Sequence, residues 1–505
     1  MDPKLLQRQV EKILDETTDK HVDVIVQMES ERDTSRQLAR AAGEALSRRR
    51  LSLTPRDLLP GPYDKTISKQ VRQETASTRA LLGKATQETL GLAQIQRLAR
   101  APMAPLLRSG LVNTALARMV QPARKSAKEK PQPGSFWTSR AMPLRLDRDE
   151  LHKLPNAVDR IKSINRNRQL TVPTMMEVKQ LAVESEDSLS STWGLEQIKA
   201  LATWGVHDAR GKGITIGLLD TGVDATHPDL QKKVAHWAEF DSLGNKLKST
   251  KPHDSDAHGT HCAGTLVGGN ASGRLIGVAP EAKLAAALVL NGEEGGTDAQ
   301  VLAGIDWAVE TRVDVISMSL GGLEMDAETP PTYTEAILSC MEAGIPVVAA
   351  IGNEGQQTTG SPSNDIFALS VGATDHRLRV AGFSGGRTQV IRESDFIDPK
   401  FLPLVYSKPD LSAPGVAIYS SVPGREWKAF NGTSMATPHV AGAIALLLSA
   451  TSIKAKETGA HRTFLIKDLI CGAVEELGES GQDHRYGFGF LNVLRAIDFA
   501  RARGY

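Results

Sequence analysis

The chain is poor in cysteine, in aromatic residues and in net charge, and each shortage narrows what it can be. Three cysteines, Cys262, Cys340 and Cys471, are spread through 505 residues. An odd, widely spaced set does not make a disulfide framework and points to no particular redox compartment. Aromatic residues are 5% of the total, and Lys+Arg 60 against Asp+Glu 59 leave a formal charge of +1. Any electrostatic partner must therefore be sought in local patches. The longest apolar segments, such as VAGAIALLLSA after Pro438, fall short of the roughly 18–20 residues that span a bilayer. The opening MDPKLLQRQVEKILDE mixes charges with apolar residues and lacks a secretory pattern, so a soluble cytoplasmic protein is expected, with a non-Sec export route left open.

What is present is a globular composition, 40% hydrophobic and 24% charged, long enough for two to four folding units at roughly 100–200 residues each. Texture changes near residue 190. Beyond Gly213, the runs GITIGLLD (213–220), AKLAAALVL (282–290), VDVISMSL (313–320), IPVVAAIG (345–352) and IFALSVGA (366–373) read as strands covered on both faces. DAQVLAGIDWAVE (298–310) and PTYTEAILSCMEAG (331–344) have helical spacing between them, which makes an α/β domain with a mainly parallel sheet sandwiched by helices. Before residue 187, HVDVIVQM (21–28) reads as a strand, the following SERDTSRQLARAAGEALSRRR as a helix and residues 65–120 as further helix. SRAMPLRLD, DRDELHKLP and VDRIKSINR then suggest strand, helix and strand over 139–166. Together these describe a small α+β unit with a helical insertion at about 50–135. Residues 96–130 hold eight Lys/Arg against Glu129. A solvated helical face is the expected account of that charge, ahead of a docking surface for an acidic protein or nucleic acid.

Three segments carry chemistry. In GLLDTGVDATHPDL an apolar strand delivers Asp220 to its C-terminal end, where active sites of open α/β sheets form, although a strand-end Asp before Gly also serves as a turn residue. HGTHCAGTLVGG offers His258 as a general base; His258 and His261 could equally ligate a metal with His253 or Cys262, or pack as core histidines. Cys262, four residues after His258, belongs to the same helix face. In FNGTSMATPHVAGAIALLLSA, Ser434 opens an apolar, buried helix and is either a nucleophile or an N-cap, with Pro438 placed in the first turn.

Taken together, Asp220, His258 and Ser434, in that order and with these flanking residues, closely resemble the subtilisin-like serine peptidases over roughly residues 193–500. The resemblance implies acyl transfer through an Asp-His-Ser triad, with Asn353 of VVAAIGNEG in the oxyanion hole. Ser319, Leu320 and Gly321 of SMSLGG would pair with an extended peptide. It implies polypeptide substrates and no cofactor for catalysis. Structural calcium is common in the family, but no liganding loop is legible around Asp224, Asp229 or Asp410, so no metal is assigned. It further implies a propeptide-like domain over 1–172, inhibitory and assisting folding, a linker at 173–192 and a catalytic domain over 193–505. The stretch ending in Ser361, TTGSPS, would wall the primary pocket and favour an apolar residue there, with Glu354 and NGEEGG attracting basic residues elsewhere. A peptide-binding regulatory scaffold with little turnover is the alternative to a working endopeptidase.

Overall fold

Continuous apolar runs become strands because both faces of a parallel sheet are covered by helices, leaving no solvent side for polar alternation. The computed structural model describes residues 3–29, 106, 109–112, 135–172, 176–178, 190–327, 332–394, 397 and 402–505. Its main sheet has seven strands: β6 (Thr215–Asp220), β7 (Val234–Glu239), β8 (Lys283–Leu288), β10 (Val315–Met318), β12 (Val347–Ala350), β14 (Leu369–Thr374) and β17 (Leu411–Pro414). They lie in the order β17-β14-β12-β10-β6-β8-β7, all parallel. The α/β sandwich expected from the sequence is thus found, and all five runs read as strands lie in it. From β6 the chain runs to the edge strand β7, returns to β8 beside β6 and then crosses to β10 on the other side, so the end of β6 is a topological switch point, where such sheets place their sites.

Helices cover both faces. On one lie α3 (His258–Val267) and α6 (Thr433–Ala450), packed with Ile216 and Leu218 of β6. On the other lie α4 (Asp298–Glu310) and α5 (Thr334–Glu342), which share a cluster with Leu219. Helix α6 is, among the described residues, the one helix long and apolar enough to cross a membrane, yet 89% of that stretch is buried inside the protein. It is the central core helix.

The N-terminal residues form a second layer on α4 and α5. Strands β1 (His21–Met28), β2 (Ala141–Asp147) and β3 (Ile161–Arg166) make an antiparallel sheet in the order β2-β1-β3. Val22, Val24, Val26 and Met28 point to one face, where α1 (Pro3–Asp15) and α2 (Arg148–Ala157) close a small core that also takes Leu106 and Val112. The alternate residues face the large domain: Ile25 joins its core, and Gln27 donates to the Thr332 carbonyl at 3.1 Å. Helix α1 was not read from the sequence. The helix expected over 29–49, most of that over 65–120 and most of the 96–130 charge patch lie outside the described residues.

This contact between layers joins apolar packing by Ile25, Phe136 and Trp137 to several acids from the large domain. Asp306 accepts from the backbone N–H groups of Trp137 (2.7 Å) and Thr138 (3.1 Å) and from the Thr138 hydroxyl. Glu335 sits between Arg140 and Lys162. Burial pushes Asp306 up to about 7 and Glu342 up to about 7. Glu335 is also buried, but its two cations hold it below the ordinary carboxylate value.

Candidate active site

Two glycines let the elements around Asp220 meet. Gly222 has φ +113, and a Cβ there would lie 2.1 Å from the His253 carbonyl oxygen; a Cβ on Gly259 would lie 2.1 Å from the Gly222 oxygen. Only with both side chains missing can the first turn of α3 reach the end of β6. Thr221, not singled out in the sequence, pins the junction: its Oγ1 accepts from the Gly259 N–H at 2.9 Å and donates to Asp254 at 2.7 Å.

His258 is thereby set beside Asp220, with Nδ1 2.6 Å from Asp220 Oδ1, and both side chains are fully buried. A carboxylate only accepts, so Nδ1 carries a proton, and in the neutral ring Nε2 presents a lone pair. Nε2 has no partner among the described residues. Burial disfavours the imidazolium, but the Asp220 charge outweighs it and lifts His258 well above its ordinary value. His261 differs. Its Nε2 donates to the Ile418 and Lys428 carbonyls (2.9 and 3.2 Å), and burial drives it down to about 3, the signature of a neutral packing histidine.

Ser434 is the second residue of α6 and only 1% exposed. The sequence reading placed Pro438 in the first turn; it is instead the sixth residue of the helix. Lacking an N–H, it cannot donate to the carbonyl four residues back, which is that of Ser434. Two side chains take over: Ser319 Oγ donates to the Ser434 oxygen at 2.8 Å, and the Cys262 thiol does so at 3.5 Å. Cys262 Sγ is also 3.9 Å from His258 Nδ1, so this thiol touches both residues. The Ser434 hydroxyl points to the Ser319 carbonyl at 3.4 Å, a long bond that a rotation about χ1 can exchange for another acceptor.

Asn353 follows β12 and faces the start of α6. Its Oδ1 accepts from the Thr433 N–H and hydroxyl, both at 2.9 Å, which fixes the amide with Nδ2 as the outward donor. Thr433 is a second residue not foreseen, although it directly precedes Ser434 in the motif. Leu320 is buried, and Gly321 leads into β11 (Gly322–Glu324), which pairs with β13 (Thr359–Ser361). Ser361 therefore stands opposite Gly322, while Glu354 accepts from the Asn353 N–H at 2.9 Å.

Among the described residues Asp220, His258 and Cys262 form the one close grouping of potential metal-ligand atoms. It is ill suited to a divalent ion, since Asp220 already holds His258 and burial raises the Cys262 thiol, opposing the thiolate a metal needs. The acids considered for calcium make other bonds. Asp224 accepts from Thr226, Asp229 from Ala271 and Trp427, and Asp410 from Lys408 and Lys467.

Residues 211–489, over half of the chain, match the model of the subtilase family, peptidase family S8. The chain belongs to the subtilase family. It is 35% identical to subtilisin of Bacillus pumilus, an alignment covering 61% of this chain and 98% of that protein. It is 38% identical to the intracellular serine protease of Paenibacillus polymyxa over 50% of this chain and 72% of that one, and 34% identical to subtilisin E of Bacillus subtilis (strain 168) over 64% and 76%. This subtilase is accordingly a serine peptidase acting on polypeptides, and its chemistry requires no cofactor.

Proposed function

We propose that Ser434 is the nucleophile, His258 the general base and Asp220 its orienting partner in an endopeptidase that residues 1–172 restrain. The observation that carries the reading is the Asp220–His258 bond, which leaves Nε2 as a free base on a histidine joined to Ser434 through Cys262. The Ser434 hydroxyl, turned from the Ser319 carbonyl to Nε2, gives up its proton as Oγ attacks the peptide carbonyl. The imidazolium, held by Asp220, returns that proton to the leaving amine, and water repeats the sequence on the acyl-enzyme. Asn353 Nδ2 and the Ser434 N–H, in the helix turn whose N–H groups have no intrahelical partner, stabilise the oxyanion. Ser319, Leu320 and Gly321 hold the substrate strand, and the uncharged wall at Ser361 favours an apolar residue before the scissile bond.

Restraint is supported by burial and by strand pairing. Ser434 and His258 have almost no solvent contact. Immediately after β3, β4 (Gln169–Leu170) pairs with β9 (Gly296–Thr297) of the large domain. Farther along, β5 (Met176–Glu177) pairs with β19 (Glu426–Asn431), whose last residue is three before Ser434. Lys428 meets Glu177 at 3.1 Å and Val178 donates to Ala429 at 2.8 Å. Both short strands thus add to strands of the catalytic domain, and such pairing supports the reading that this stretch occupies the place of a product-like strand. We take 1–172 as the inhibitory unit, 173–192 as linker and 193–505 as catalytic domain. A cytoplasmic location accords with relatives named as intracellular proteases. Intact-mass analysis tests the reading. Wild type should lose an N-terminal fragment on incubation while Ser434→Ala stays at 54.4 kDa, and equal processing of both would refute it.

A further inference from the structure

Beyond β3 the chain alternates its side chains along an extended path, and one of them fills a charged pocket of the catalytic domain. Arg168 Nε and Nη2 donate to Asp298 Oδ2 and Oδ1 at 2.9 and 3.0 Å, a bidentate fork. Nη1 pairs with Glu324, and Nη2 also reaches Ser361 Oγ at 3.3 Å. Tyr333 donates its hydroxyl to Asp298 Oδ1 at 2.6 Å, fixing the carboxylate that receives the fork. The Asp298 side chain is fully buried, whereas that of Arg168 is 24% exposed, so the pocket opens to solvent.

This pocket is in register with the strand that approaches the nucleophile. Gln169 and Leu170 pair with Thr297 and Gly296, and the Asp298 N–H donates to the Arg168 carbonyl at 3.2 Å. Arg168 and Leu170 share a face, because a Cβ on Gly322 would meet Leu170 Cδ2 at 3.2 Å and Arg168 Nη1 at 3.7 Å. The backbone bonds would serve any extended peptide, while the two acids and the tyrosine serve only a cation. Once Arg168 leaves, Asp298 and Glu324 lose the guanidinium that balances them, and a desolvated carboxylate without a counter-charge favours any cation that can reach it.

We propose that Asp298, Glu324 and Tyr333 form a specificity subsite that selects arginine or lysine in polypeptide substrates, two residues before the one that pairs with Gly296. Arg168 occupies it as a built-in stand-in. The inference rests on the reading that the chain beyond β3 follows the substrate channel of a working peptidase.

The test uses the full chain carrying Arg168→Ala, which vacates the subsite, with β-casein as a general substrate. Two synthetic peptides copying residues 166–178 compete, one with arginine and one with alanine at the place of Arg168. The arginine peptide should inhibit with a Ki at least about tenfold lower, as expected for a charge-assisted fork. Adding Glu324→Gln should reduce that ratio to about threefold or less. If Arg168→Ala does not fold, wild type and Glu324→Gln that have lost their N-terminal fragments, and Arg168 with them, give the same comparison. Equal inhibition by the two peptides while casein is cleaved overturns the subsite and leaves the peptidase reading standing. The chain is first incubated until its N-terminal fragment is lost, and casein left intact after that loss refutes the peptidase reading itself, and the subsite with it.

Discussion

Pro438 removes the helix donor that would have met the Ser434 carbonyl, and that omission makes Ser319 a positioning residue whose worth can be measured. Ser319→Ala takes away the 2.8 Å hydroxyl bond and leaves the buried oxygen with only the weak thiol donor of Cys262 at 3.5 Å. An under-satisfied buried acceptor costs about 1–3 kcal/mol. In a Pro438→Ala background the new N–H at 438 can close the i to i−4 ring onto Ser434, so the same Ser319→Ala change should then cost about 0.5 kcal/mol or less. The coupling, about 1–2 kcal/mol, is within the range seen for groups sharing one acceptor. The four proteins are compared by urea unfolding under tryptophan fluorescence, each carrying Ser434→Ala to prevent self-digestion. An equal cost for Ser319→Ala with and without Pro438 would refute the argument that the proline creates the vacancy.

Asn353→Ala should lower kcat by about 10²–10³ with KM nearly unchanged, a magnitude measured on the corresponding asparagine of subtilisin itself; a purely raised KM would remove Asn353 from the oxyanion hole. A bulky mercurial that reaches Cys262 should displace the His258 ring 3.9 Å away and abolish activity, whereas Cys262→Ala should resist it; equal loss in both proteins would break the proximity argument. Docking of the N-terminal layer should depend on pH through Asp306. Burial raises this carboxyl to about 7, so its contribution to docking is complete below the free value near 4 and is lost as pH rises through about 7. Glu335, held low, opposes this only in the acid range. Hydrogen exchange of β1 and β3 in the Ser434→Ala protein should be faster at pH 8 than at pH 6, beyond the intrinsic rate change, and Asp306→Asn should reduce the difference, leaving the part due to Glu342, which burial also raises to about 7; an unchanged difference contradicts it.

Much of this was legible because the signals were of the right kind. The five buried strands are predominantly apolar runs, and Asp220, His258 and Ser434 sit in long motifs. The two edge strands were not legible. β7 reads VAHWAE with mixed burial, and β17 is only four residues ending in Pro414. Helix α1 carried its signal in plain view, Leu6, Val10, Ile13 and Leu14 at helical spacing, now buried against the N-terminal sheet. Thr221, Thr433 and Arg168 had no such pattern. Their roles come from contacts across the fold: Arg168 meets Asp298 130 residues away and Thr433 meets Asn353 80 residues away. Periodicity reports which face is buried, never which distant partner lies there.

The central claim, that Ser434 is the nucleophile with His258 as its base, is tested most directly by treating the full chain with a fluorophosphonate and locating the adduct by peptide mass. The account predicts one adduct, on Ser434, formed slowly while the N-terminal layer is docked, faster once it is lost, and abolished in His258→Ala. An adduct on another residue, or undiminished labelling of Ser434→Ala, would contradict it.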